Sequence, residues 1–123
     1  MDEASETRAA VEGYFQAWTT RRPEEAFAFL APDLKFSGPT ASYESADEFR
    51  PALDGFAAMT RSARIVELVV SGSQAALLYD CDLPSPVGTL RIASFFTVRD
   101  RRIARYDTRF DATELRKLLS RTT

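Results

Sequence analysis

The chain has 123 residues, of which 16 are basic and 18 acidic, for a net charge of −2, and 45% are hydrophobic; this is the composition of one compact soluble domain spanning 1–123. Basic residues are spread along the chain, which disfavours nucleic-acid binding, and fourteen of the sixteen are arginines, a bias we read as compositional. There is no histidine and one cysteine, Cys81, so the commonest general base, the Ser–His triad, the usual zinc ligand and any internal disulfide are excluded.

The opening MDEASETRAA is acidic and has no apolar core, so it does not read as a secretion signal, and no run of about 18 apolar residues offers a membrane span; a cytoplasmic protein is expected. Over residues 5–20, Val11, Tyr14, Phe15 and Trp18 recur at helical spacing, with Glu6, Arg8, Glu12, Gln16 and Thr20 opposite. Pro23 suits the first position of a second helix, expected to run to about Leu30 and stop before Pro32. A short strand over 33–37 is broken by Gly38-Pro39. Ser45 and Glu48 form a capping box for a third helix that buries Phe49, Leu53 and Phe56; Pro51 predicts either a kink or a helix that starts only there.

From residue 61 the period becomes that of strands: 64–70, 75–83, and a hairpin of 89–98 with an arm from Ile103. At its tip stands Asp100-Arg101, where Asn-Gly or Asp-Gly is usual, so Arg101 must take a positive φ or the loop must lengthen. Asp111 and Glu114 cap a final short helix carrying Leu115, Leu118 and Leu119. Counting outward from the turn pairs Val98 with Ile103, Phe95 with Tyr106 and Ala93 with Thr108. One face then carries Ala93, Phe95, Ala104, Tyr106, Thr108 and Phe110; the other carries Ile92, Ser94, Phe96, Arg105, Asp107 and Arg109. The expected fold is α+β, with a curved mixed or antiparallel sheet wrapped as a cone around the N-terminal helices and a cavity between the first helix and the sheet.

The Val11–Trp18 helix, the segments FLAPDLKFSGP and ADEFRPALDGF, and the ending FFTVRDRRIARYDTRFD together resemble the nuclear transport factor 2-like (NTF2-like) superfamily, in particular its bacterial SnoaL-like members, over essentially the whole chain. That resemblance implies the cone fold. It leaves function wide, because such folds host isomerases, hydrolases, cyclases, dehydratases and binding modules. Similarity to limonene epoxide hydrolase places Asp80, Asp82 and Thr108 at its catalytic positions, with one aspartate kept. Similarity to the steroid isomerases places Gly38 where their base stands, while Tyr14 lies on the helix that carries their oxyanion tyrosine. Neither set is complete.

Asp80 and Asp82 share one face of their strand, about 7 Å apart by strand geometry. Facing inward, one of them acquires a raised pKa and becomes a candidate acid; facing outward, both are solvated while Leu77, Tyr79 and Cys81 pack inside. Alternation alone allows both. Cys81, mid-strand and with no histidine to activate it, reads as an inert packed thiol. Tyr14, Trp18, Phe36, Phe95, Tyr106, Thr108 and Phe110 either line an apolar pocket or fill a core. Arg91 either clamps a ligand or forms a rim salt bridge. The row Arg105, Asp107, Arg109 beside Ile92 and Phe96 marks the outer sheet face as a homodimer interface or a solvated surface. The expected function is binding of a small, largely apolar molecule with no cofactor or metal; the alternative is a cofactor-independent isomerase, cyclase or dehydratase using Asp82 and Asp80.

Overall fold

Three helices are laid against one face of a six-stranded sheet, and a fourth follows the last strand. The computed structural model describes residues 2–121, with side chains through residue 117; Leu118 and Leu119 of the expected last apolar face lie outside the described side chains. Helix α1 (Glu3–Thr19) begins where the Asp2 carboxylate accepts from the Ser5 N–H at 2.8 Å. It buries the expected Val11, Tyr14, Phe15 and Trp18. Helix α2 (Pro23–Ala28) starts at Pro23 as expected but ends two residues earlier than the pattern suggested. There the Phe29 carbonyl accepts from the Ile103 N–H at 2.7 Å, and Leu30 pairs beside Ile103. Pairing across the sheet thus recruits a segment that local periodicity assigned to the helix.

Strand β1 (Leu30–Ser37) therefore begins three residues before the expected strand, and a two-residue strand β2 (Ser42–Tyr43) not evident in the sequence pairs with it. Helix α3 (Ala46–Met59) starts at its capping box, with the Ser45 hydroxyl accepting from the Glu48 N–H at 3.1 Å, and continues through Pro51. Strands β3 (Ser62–Ser71), β4 (Gln74–Leu83), β5 (Gly88–Arg99) and β6 (Arg102–Arg109) follow, then α4 (Thr113–Arg121). The spatial order is β2-β1-β6-β5-β4-β3, antiparallel except where β1 runs parallel to β6. The result is the expected α+β architecture with a curved, unclosed sheet. Among the described residues, no helix is long and apolar enough to cross a membrane.

The hairpin corrects one inference. Asp100 and Arg101 take φ of 52° and 66°, so the tip stays a two-residue turn, and Val98 pairs with Ile103 as counted. Ala104 is then an extra residue on β6: beyond it Thr97 pairs with Arg105, Phe96 with Tyr106 and Ser94 with Thr108. A one-residue bulge shifts every later pair by one and exchanges faces. Ile92, Ser94 and Phe96 are therefore inside with Tyr106 and Thr108, whereas Phe95, expected inside, is 50% exposed on the outer face.

The α1 aromatics settle onto this concave wall. Tyr14 packs edge-on against Tyr106 and Phe96, and Phe15 and Trp18 pack against Tyr79. Aromatic edge-to-face contacts of this kind add to the burial of large apolar area.

Candidate functional site

Because the α1 rings fill the space above β4–β6, the open volume lies further along the sheet. A cavity of about 370 Å³ sits between α3, the β1–β2 segment and the concave wall, rather than between α1 and the sheet as expected. Helix α3 supplies Phe49, Leu53, Phe56 and Met59, the β1–β2 segment supplies Phe36, Pro39 and Tyr43, and the sheet supplies Tyr79, Ile92, Tyr106 and Thr108. Phe110 and Leu115 close the far end, where the Arg116 guanidinium donates to the Pro39 carbonyl at 2.6 Å and ties α4 to the β1–β2 loop. Phe36 and Phe49 stack at 4.3 Å between ring centres and make a rigid aromatic side wall. Among the described residues, none that lines the cavity is charged.

Apart from Thr40 and Tyr43 on the β1–β2 side, polarity enters at the floor. The buried Tyr14 hydroxyl donates to the Tyr106 hydroxyl at 3.3 Å. Beside them Ser94, fully buried, bridges the Tyr79 hydroxyl at 3.1 Å and the Thr108 hydroxyl at 3.0 Å. Burial pushes the phenols of Tyr14, Tyr79 and Tyr106 upward in pKa, so all three stay protonated at neutral pH. The floor is thus a set of neutral hydroxyls that can donate and accept hydrogen bonds but cannot hold a charge.

Four expected lining residues do meet here: Phe36, Tyr106, Thr108 and Phe110. Tyr14 stands one layer behind, joined through its hydroxyl, and Trp18 is core, packed on Phe15, Phe56 and Tyr79. Phe95 and Arg91 are not at the cavity. Arg91 projects from the outer face and makes a two-pronged pair with Asp80, at 2.8 and 3.0 Å. The sequence alone puts Ser94 on the outer face, because a count from the turn takes no account of the bulge at Ala104. Tyr79 follows from the reading of β4 in which Leu77, Tyr79 and Cys81 face inward, and all three are buried.

That same arrangement turns Asp80 and Asp82 outward, away from the cavity. Arg91 holds the Asp80 carboxyl below the ordinary carboxylate range. Asp82 accepts from Ser62 at 2.5 Å, Thr89 at 2.8 Å and Arg64 at 3.0 Å, and these bonds lower its pKa to about 2. Both shifts run opposite to the raised pKa that an acid in a dry pocket requires. Opposing cations and hydroxyl donors fix the two as carboxylates. Among the described residues, no three His, Cys, Asp or Glu side chains are grouped to hold a metal. Gly38, at the position matched to the isomerase base, lines the cavity without a side chain to act there.

A second concavity of about 360 Å³ lies on the outer face, where Val69 and Phe95 adjoin Gln74, Arg105 and Asp107. It lacks the converging buried hydroxyls of the inner cavity.

No curated protein matches the chain. Among solved structures, a protein from Kribbella flavida is 25% identical over 92% of this chain and 93% of its own, with a TM-score of 0.85. A ketosteroid isomerase-like protein from the same organism is 22% identical over 90% and 82%, with a TM-score of 0.77. An LEH-like epoxide hydrolase from M. tuberculosis is 20% identical over 97% and 92%, with a TM-score of 0.76. The last two share the fold. The model of the SnoaL-like domain matches residues 11–106, and the chain belongs to that family, on an NTF2-like fold.

Proposed function

We propose that this protein binds one small, uncharged, largely apolar molecule in the cavity beneath α3, without acid–base chemistry of its own carboxylates. The supporting observation is the combination of an aromatic and aliphatic wall around about 370 Å³ with a hydroxyl floor and no charged lining residue. This volume falls among ordinary small-molecule sites, which are mostly apolar with a few convergent polar groups. A charged ligand would lose its hydration there and meet no counter-charge. Proton abstraction needs a base within hydrogen-bond reach of the reacting carbon, and the outward carboxylates do not supply one.

The test is binding of the uncharged fluorescent probe N-phenyl-1-naphthylamine. One site per chain is expected, with binding abolished by Leu53→Trp, which fills the cavity from α3, and unaffected by Asp82→Asn on the opposite face. Absence of saturable binding, or binding that survives Leu53→Trp, refutes the assignment.

The outer face supports a second element of the proposal, self-association through the sheet. Val69 at 56% and Phe95 at 50% exposure flank Ala76 in one cross-strand row, with Glu67, Arg105 and Asp107 around them. A row of apolar side chains framed by charges of both signs can meet its own copy across a two-fold axis. Sedimentation should give a dimer that Phe95→Asp converts to a monomer; a native monomer at high micromolar concentration overturns this element.

A further inference from the structure

Helix α3 borders two concavities, one on each flank. At about 3.6 residues per turn, Phe49, Leu53 and Phe56 form its underside. Ala52 and Met59 then fall on the flank that lines the inner cavity of about 370 Å³. Asp54, Ala57 and Ala58 fall on the other flank, which lines a second concavity of about 250 Å³. Its remaining walls are Trp18 of α1, Arg21 of the turn, and Pro23 and Ala26 of α2. Among the described residues, Leu53 alone borders both spaces, and it is 6% exposed.

The walls of the second concavity are tied in place. Arg21, in the left-handed region at φ 61°, donates from its guanidinium to the Thr60 carbonyl at 2.9 Å and fastens the α1–α2 turn to the end of α3. Arg50 of α3 pairs with Glu24 of α2 and with Asp54, the latter at 3.7 Å. The two charged residues of the lining, Arg21 and Asp54, are therefore engaged with the protein itself. Small side chains at Ala26, Ala57 and Ala58 leave the space between these ties unfilled. The division between the spaces continues as an aromatic contact. Trp18, on the second side, packs on Phe56, on the inner side, at 5.9 Å between ring centres, and Phe15 and Tyr79 hold Trp18 in turn. Leu53 is the aliphatic member of this partition. Shortening it removes the barrier while the helices stay put, because a core relaxes only partially around a deleted side chain.

Resting on the cavity-binding proposal above, we propose that Leu53 is the residue that sets the length of molecule the site accepts. It ends the inner cavity against the second concavity, so the protein takes compact uncharged molecules and excludes straight-chain ones that need both spaces. A chain entering the inner cavity gains with each methylene it buries until its tail meets Leu53. Past that point the tail either stays in water or forces a packed side chain out of its place, and neither is favourable. With Leu53 shortened, the two spaces join and the second receives the tail.

The experiment uses the straight-chain alcohols from hexanol to dodecanol, which share a head and differ only in length, as competitors of N-phenyl-1-naphthylamine. In the unmodified chain each methylene should tighten binding about fourfold while room remains, the transfer free energy of one methylene expressed as an affinity ratio, and the climb should stop within the series. In Leu53→Ala the climb should resume and raise the dodecanol-to-hexanol affinity ratio about fifteenfold, the worth of two methylenes. Leu53→Val supplies the same comparison with a smaller gain, should Leu53→Ala not fold. Ala57→Phe fills the second concavity alone. It should leave the series unchanged while Leu53 is present, and cancel the gain when combined with Leu53→Ala. An uninterrupted climb in the unmodified chain overturns the inference, as does a ratio unaltered by shortening Leu53. So does a gain that survives Ala57→Phe, which puts the tail in the void of the missing side chain. Weaker dodecanol binding in Ala57→Phe alone also overturns it, because the second space is then in use with Leu53 intact. In each of these outcomes alcohols still displace the probe, and the cavity assignment stands. If no alcohol displaces it, the cavity assignment falls and takes this inference with it.

Discussion

The Tyr14–Tyr106 bond makes an unequal pair of stability predictions. Tyr14 is 1% exposed and its hydroxyl has Tyr106 as its partner; Tyr106 is 5% exposed and its side chain also lines the cavity. Tyr14→Phe removes the donor and leaves the Tyr106 hydroxyl with the neighbouring hydroxyls of Tyr79 and Thr108 as partners. At 3.3 Å the lost bond is a long one, so the expected cost is about 0.5–1 kcal/mol. Tyr106→Phe removes the acceptor and strands the Tyr14 proton in the core, with an expected cost of about 1–3 kcal/mol for the unpaired buried group. The double variant replaces a polar pair by two apolar rings of the same shape, and should cost no more than Tyr14→Phe alone. The three urea-unfolding free energies should therefore be non-additive by about 1–3 kcal/mol, with roughly 3–5 °C of melting temperature per kcal/mol at this chain length. Equal costs for the two single variants, or additivity in the double, would refute the assigned direction of the bond.

Other expectations are simpler. Gly55 lies within α3 at the cavity wall, and a Cβ built there meets nothing within 4 Å, so Gly55→Ala should raise stability by about 0.5–1 kcal/mol in chemical denaturation and leave the fold unchanged. Asp82 is held at about 2, below its ordinary value of 3.8; its contribution is complete above pH 4 and disappears as pH falls from there toward 2. Urea midpoints measured at pH 5 and pH 2.5 should consequently differ less in Asp82→Asn than in the parent, and an equal difference contradicts the triple hydrogen bonding. Cys81 is fully buried and its thiol is pushed up to about 12, so a disulfide reagent at pH 8 should modify it only once the chain is unfolded; rapid labelling of the native protein would count against this packing.

The elements legible in the sequence were those whose cause is local. Helical spacing placed Val11, Tyr14, Phe15 and Trp18 inside, and the Ser45–Glu48 box marks the start that α3 takes, in place of the later start that Pro51 also allowed. What escaped depends on partners distant in the chain. Residues 29–30 look helical until Ile103 of β6 claims them, and β2 is too short to carry a period of its own. The site suffered most from the hairpin, because counting from the turn assumes an unbroken ladder. A trace of the break was present: Ile103 and Tyr106, both strongly apolar, stand three apart where a regular strand sets them two or four apart. Asp80 and Asp82 share their side of β4 with Ala76 and Leu78, so alternation was silent about them, and the pairing of Asp80 with Arg91 is visible only once β5 is laid alongside.

Ala104 carries a practical lesson for comparing this chain with its relatives. Against any relative whose last strand runs without this bulge, a residue-by-residue alignment that slides through position 104 without a gap equates inward side chains of one protein with outward side chains of the other for the rest of the strand. Tyr106 and Thr108 would then be matched to surface positions and dismissed as variable, while neighbours such as Asp107 inherited their importance. Any transfer of roles onto this β6 should be anchored on which side chain faces α1, and its numbering should give way to that.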